Sequence, residues 1–187
     1  MIPEESLQIV LDCLDELGIP FMVAGSFASN AHGVPRVTQD ADVVIETDLD
    51  RLLQLMHKLG HEFYADPNSA REAFAGSRML NIIHLETGFK IDMILRKPRA
   101  FSVEEFKRRC KINFLGKDRW FATPEDTILT KLEWCKLGQS ERQYEDALNI
   151  AKVQGESLDY AYLARWSSEL GLEDLLNRLL VDAGLKT

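Results

Sequence analysis

The chain has 187 residues, 45% of them hydrophobic and 28% charged, with 11 Gly, 6 Pro and a formal net charge of −8. This composition excludes a disordered or fibrous chain and supports one domain, or two small ones, around a real core. The acidic balance argues against a protein that simply coats nucleic acid, a task that needs Lys and Arg to displace counterions.

Leu7, Val10, Leu11, Leu14 and Leu17 repeat at helical spacing, so residues 4–17 are expected to form an amphipathic helix, ended by Gly18 and Pro20. Phe21 to Ala24 is a short apolar run leading into Gly25-Ser26, which predicts a buried strand and a tight turn. A short helix over Phe27 to His32 closes at Gly33, and Asp42 to Glu46 is a second, β-branched strand. Asp48 caps a helix whose Leu49, Leu52, Leu53, Met56 and Leu59 face the core, ending at Gly60. After a loop at Asp66-Pro67-Asn68 and a weak helix over 69–75, Met79–Leu85 and Phe89–Leu95 form a hairpin around Glu86-Thr87-Gly88. Ser102 is expected to cap a helix through Arg109, with short strands over Lys111–Leu115 and Arg119–Phe121.

The texture changes at Thr123-Pro124, an N-cap followed by proline in the first helical position. From there helices are expected over 124–137, 141–153, 158–170 and 172–183, punctuated by Gly138, Gly155 and Gly171. The predicted organisation is an α+β core over residues 1–122 and a helical region over 123–187 packed on it. No apolar run reaches the roughly 18 residues of a membrane span. The opening Met-Ile-Pro-Glu-Glu-Ser has no leader pattern, and Cys13, Cys110 and Cys135 form neither a disulfide framework nor a zinc knuckle. A cytoplasmic protein with no membrane partner is expected.

Charge is uneven along the chain. Residues 1–98 carry 8 basic against 15 acidic side chains, and residues 99–187 carry 14 against 15. Lys107, Arg108, Arg109, Lys111, Lys117 and Arg119 form a basic stretch, read either as a solvated helix end and hairpin or as a guide for a polyanion.

Three features bear on chemistry. Gly25-Ser26 ends an apolar strand and enters a helix, where a hydroxyl and free amides suit a phosphate, although such turns are also common as structure alone. Asp40 and Asp42, two apart on a strand, point to the same side, and two converging carboxylates are unfavourable without a cation between them, although the pair also reads as an acidic turn before a strand. Asp92 lies within the apolar strand Phe89-Lys90-Ile91-Asp92-Met93-Ile94, where a charge needs either a metal or the neighbouring Lys90 as its partner.

This order, strand-Gly-Ser-helix, then Asp-x-Asp, then a lone Asp in a later strand, resembles the DNA polymerase β-like nucleotidyltransferase superfamily. Arg36-Val-Thr38 before Asp40 looks like the Arg-x-Thr-x-Asp-x-Asp form of small stand-alone members. Thr123-Pro-Glu-Asp-Thr-Ile-Leu-Thr-Lys131-Leu, followed by Ser140-Glu-Arg-Gln-Tyr-Glu-Asp146-Ala-Leu, is similar to the tail of AbiEii-like nucleotidyltransferases of bacterial toxin–antitoxin systems. The resemblance implies an α+β fold, a mixed sheet flanked by helices and followed by a helical bundle. It implies transfer of NMP from an NTP to a hydroxyl of RNA or tRNA, a protein or a small molecule, and an antitoxin as a further partner. It assigns Mg²⁺ or Mn²⁺ to Asp40, Asp42 and Asp92. Gly25, Ser26, Arg36, Thr38 and Lys131 fall to the nucleotide, with Lys90 and Asp146 in support. The segment Phe27-Ala28-Ser29-Asn30 departs from the toxin's first motif, which leaves open a non-catalytic nucleotide-binding or partner-binding module on the same fold.

The remaining candidates are weaker. His32, His57, His61 and His84 are scattered, and zinc is not expected. Trp120, Trp134 and Trp166 are expected to seal the helical layer, with base stacking as the alternative for Trp120.

Overall fold

The computed structural model describes residues 2–138 and 140–185. They divide into two compact units, one made of the residues up to Ala24 with Thr38–Phe121, the other of Gly25–Val37 with the residues from Ala122 onward.

The first unit is built on a sheet of seven strands among the described residues. In chain order these are β1 (Phe21–Ala24), β2 (Asp40–Ile45), β3 (Phe63–Ala65), β4 (Met79–His84), β5 (Lys90–Leu95), β6 (Cys110–Phe114) and β7 (Lys117–Phe121). Their order across the sheet is β3-β4-β5-β2-β1-β7-β6. The sheet is mixed: β2 pairs with β5, and β1 with β7, in parallel, while the remaining pairs are antiparallel. The helices of this unit are α1 (Pro3–Glu16), α3 (Leu49–Leu59), α4 (Pro67–Glu72) and α5 (Ala100–Arg108). On the central strands the alternation is sharp. Ala41, Val43, Ile45, Ile91, Met93 and Leu95 are buried along one face. The other face of the same strands carries Asp40, Asp42, Lys90 and Asp92.

The second unit is helical, with α2 (Gly25–His32), α6 (Pro124–Gly138), α7 (Glu141–Gln154), α8 (Tyr160–Leu170) and α9 (Glu173–Asp182). Thr123 caps α6, its Oγ1 accepting from the Asp126 amide at 3.2 Å. The Asp126 carboxylate is fully buried and accepts from Thr123 Oγ1 and the Tyr162 hydroxyl, each at 2.6 Å. Its burial is tolerated because both oxygens are engaged.

Several local expectations shift. The sheet gains β3, too short to announce itself by periodicity. Helix α5 starts before Ser102, at Ala100, and Ser102 Oγ accepts from Arg99 Nε at 2.9 Å instead of capping the helix. The weak helix starts earlier than expected, at Pro67 within the segment read as a loop, because Asp66 caps it by accepting from the Asn68 amide. Of the tryptophans, Trp166 is buried in the helical unit, but Trp134 is 56% exposed and Trp120 lies on β7 of the sheet. Trp134 occupies the outward side of α6, opposite the buried Leu132, and does not belong to the buried core.

Candidate active site

Strands β2 and β5 run side by side with Asp40 opposite Lys90 and Asp42 opposite Asp92. In a parallel pair, residues in register point to the same face. Three carboxylates and one ammonium therefore share a patch of the sheet. Ala24 of β1 stands opposite Asp42, and Asn81 of β4 opposite Asp92. Ala24 is a small neighbour of Asp42, and Asn81 is a polar neighbour that no sequence pattern marks.

Asp92 is 7% exposed. Its Oδ2 accepts from Lys90 Nζ at 2.9 Å, and its Oδ1 is buried without a hydrogen-bond partner. The same ammonium lies 3.9 Å from Asp40 Oδ2. The hydrogen bond to Asp92, helped by the nearby Asp40 and Asp42 charges and opposed by burial, pushes the Lys90 pKa above its ordinary value. Thr38 Oγ1 lies 3.1 Å from both the backbone oxygen and Oδ1 of Asp40, which fixes the entry to β2. Among the described residues, no three His, Cys, Asp or Glu side chains are gathered closely enough to hold a metal ion unaided. Lys90 supplies positive charge to the patch instead. The donor chemistry still suits a hard divalent cation. Mg²⁺ is commonly held by only one or two carboxylates with water and substrate phosphates, and Asp92 Oδ1 is an orphaned buried oxygen.

The second unit gathers the remaining sequence candidates. Gly25 adopts φ +56°, a left-handed conformation that favours glycine, as the chain leaves β1 and enters α2. Arg36 donates from Nε and Nη2 to the two oxygens of Asp146, each at 2.8 Å, and from Nη2 to Ser26 Oγ at 3.0 Å. Lys131 is 4% exposed, and its Nζ donates to Asp146 Oδ2 at 2.8 Å. Burial would raise the Asp146 carboxyl, but hydrogen bonds from Arg36 and Lys131 and their charges hold it below the ordinary carboxylate value. Asn30, which sequence reasoning passed over, clamps Arg36 from the backbone side. Its Nδ2 donates to the Arg36 carbonyl at 2.7 Å and its Oδ1 accepts from the Arg36 amide at 3.1 Å.

The basic stretch is less available than its sequence suggests. Arg119 is 3% exposed and ion-paired with Asp12 and Asp15 of α1, and Lys117 donates to Asp12 at 2.8 Å. Arg109 lies over the Phe106 and Trp120 rings at 4.4 and 5.1 Å, and Lys111 over Trp120 at 5.3 Å.

The architecture, an α+β fold with a mixed sheet followed by helices, is shared with solved adenylyltransferases and a nucleotidyltransferase-like protein. The antibiotic-resistance factor ANT(2'')-Ia superposes with a TM-score of 0.60 at 11% identity, covering 94% of this chain and 96% of that one. The lincosamide antibiotic adenylyltransferase LnuA, lincomycin-bound, gives a TM-score of 0.54 at 11% identity over 80% of this chain and 96% of that chain. An antigenic nucleotidyltransferase-like protein from Paracoccidioides brasiliensis gives 0.50 at 16% identity over 99% and 94%. At these identities the likeness is one of fold. No protein-family model and no curated protein matches the sequence.

Proposed function

We propose that the chain is a metal-dependent nucleotidyltransferase that moves NMP from an NTP to a hydroxyl acceptor. The observation that carries this reading is the set of carboxylates Asp40, Asp42 and Asp92 on one face of the parallel strands β2 and β5. The fold shared with adenylyltransferases supports it.

Asp40 and Asp42 are the residues that would hold Mg²⁺ or Mn²⁺, since they are half-exposed and converge on one face. When bound, such an ion screens the phosphate charge and polarises the α-phosphate. In the reaction, the acceptor oxygen bonds to the α-phosphorus as the bond to the pyrophosphate oxygen breaks. Asp92 takes the acceptor's proton, with Lys90 holding its other oxygen and orienting it. In the helical unit, the Gly25-Ser26 turn takes a phosphate, Arg36 fixes Ser26, and Asp146 fixes Arg36 and Lys131. A small-molecule hydroxyl is supported by the antibiotic adenylyltransferases among the structural neighbours, while RNA, tRNA and protein remain acceptors under the same proposal. A toxin-like role beside an antitoxin and a cytoplasmic setting belong to this proposal and rest on the sequence motifs.

One observation favours a second reading, a nucleotide-binding module without catalysis: Lys90 already neutralises Asp92. Both are tested by thermal unfolding with each NTP, with and without Mg²⁺, beside Asp42→Asn, followed by incubation with α-labelled NTP and acceptor pools. The expected result is a Mg²⁺-dependent stabilisation of about 2.7 kcal/mol at 100 times the dissociation constant, lost in the variant, together with labelled adduct. Stabilisation without adduct supports the module. Stabilisation that ignores both Mg²⁺ and the variant overturns the metal-dependent reading.

A further inference from the structure

Lys90 stands opposite Asp40 in the β2–β5 register, yet its ammonium runs along its own strand to Asp92. At 2.9 Å from Asp92 Oδ2 and 3.9 Å from Asp40 Oδ2, it bridges carboxylates of two strands. Bridging is what one ion does in a two-metal phosphoryl-transfer centre, where the cations lie about 3.5–4 Å apart. A second divalent ion at Asp92 Oδ2 would have to expel this ammonium. Three carboxylates and one ammonium also leave two negative charges, which one divalent cation cancels. The patch is nevertheless incomplete as it stands. Asp92 is more than nine-tenths buried, and its Oδ1 has no hydrogen-bond partner. An unsatisfied buried carboxylate oxygen is costly and points to a missing donor, the part that the acceptor hydroxyl takes in the proposed reaction.

We propose that Lys90 is a built-in replacement for one of the two metal ions, so that this chain binds a single divalent cation, at Asp40 and Asp42. The inference rests on the nucleotidyltransferase reading and deepens it: one divalent ion and one ammonium divide the work that two divalent ions share elsewhere. Lys90 is thus a positioning residue for Asp92, and its removal opens a second cation site.

The test is titration of the purified full chain with Mn²⁺ alone, following loss of the free-ion electron paramagnetic resonance signal. The expected stoichiometry is one ion per chain for the unmodified protein, two for Lys90→Met, one for Lys90→Arg, and none for Asp42→Asn. Two ions in the unmodified chain, with loss in Asp42→Asn, overturn the proposal while leaving the metal-dependent reading intact. The same holds for one ion in a folded Lys90→Met. If Lys90→Met does not fold, the stoichiometry of the unmodified chain decides. No ion bound by the unmodified chain overturns the proposal and leaves the metal-dependent reading to the test with NTP, whereas binding that Asp42→Asn leaves unchanged overturns both.

Discussion

Asp146 ties two cations of the helical unit together, since it accepts from Arg36 and from the buried Lys131 at once. Removing one partner of a buried ion pair costs about 3–5 kcal/mol, because the other charge stays buried and unpaired. Asp146→Ala should therefore lower unfolding free energy by about that amount, read from urea denaturation. Asp146→Ala with Lys131→Met should recover part of the loss, because the buried ammonium is gone. A double variant as unstable as the sum of the two single variants would show that Lys131 and Asp146 do not interact energetically. At this scale the sequence is informative about faces and silent about neighbours. A two-residue spacing puts Asp40 and Asp42 on one side of a strand, and an Asp inside an apolar run marks Asp92. That β5 lies directly beside β2, and that Lys90 reaches both strands' carboxylates, depends on a long-range pairing that no local pattern encodes. The same limit hid Asn30 and Asn81, whose roles come only from what the fold sets next to them.

At the scale of elements, helices and turns were more legible than short strands. Caps act locally, so Asp48 before α3 and Thr123 before α6 could be placed from sequence, and each side chain accepts the expected amide. β3, with three residues and only Phe63 deeply buried, carries too little alternation to be recognised. Ser102 looked like a cap because serine favours that position, but its partner is the Arg99 guanidinium and the helix begins upstream. Within the helical unit, Gly33 shows how closely elements approach. A Cβ there would meet the Ile150 amide at 3.0 Å, Ile150 Cγ1 at 3.1 Å and the Ser29 carbonyl at 3.1 Å. Two of those atoms are backbone, so the clash cannot relax through a side chain. Gly33→Ala should destabilise the chain by about 1–3 kcal/mol, measured as a lowered urea midpoint with unchanged slope. An unchanged midpoint would mean that the end of α2 moves off α7 without penalty.

For the whole molecule, the fold class follows from a change of texture, strands and helices alternating up to Phe121 and helices alone after it. The assignment of Gly25–Val37 to the helical unit has no compositional mark, because α2 looks like any short helix after a strand. Acid sensitivity is a property of the same scale. Burial lowers the His32 pKa below its ordinary 6.5, against a hydrogen bond to the Ala122 carbonyl and the charge of Glu125. The unfolded chain thus binds a proton that the folded chain resists. Stability should be independent of this group above pH 6.5 and fall below it, by at most about 1.4 kcal/mol per pH unit. Asp146 works in the usual carboxylate sense, its contribution present above 3.8 and lost as pH falls through its lower folded value. Urea midpoints across this range should show two descending limbs, the upper one missing in His32→Gln. An upper limb that survives in that variant would assign it to another group. The interleaved units also have a consequence for synthesis. Arg36 leaves the ribosome 110 residues before Asp146, a delay on the order of 5–20 s at ordinary translation rates. Through that interval its guanidinium and the hydroxyl of Ser26 lack their carboxylate anchor. The helical unit can close only after most of the chain has been made, so a nascent protein interrupted before α7 carries the strands but not the Arg36–Asp146 clasp.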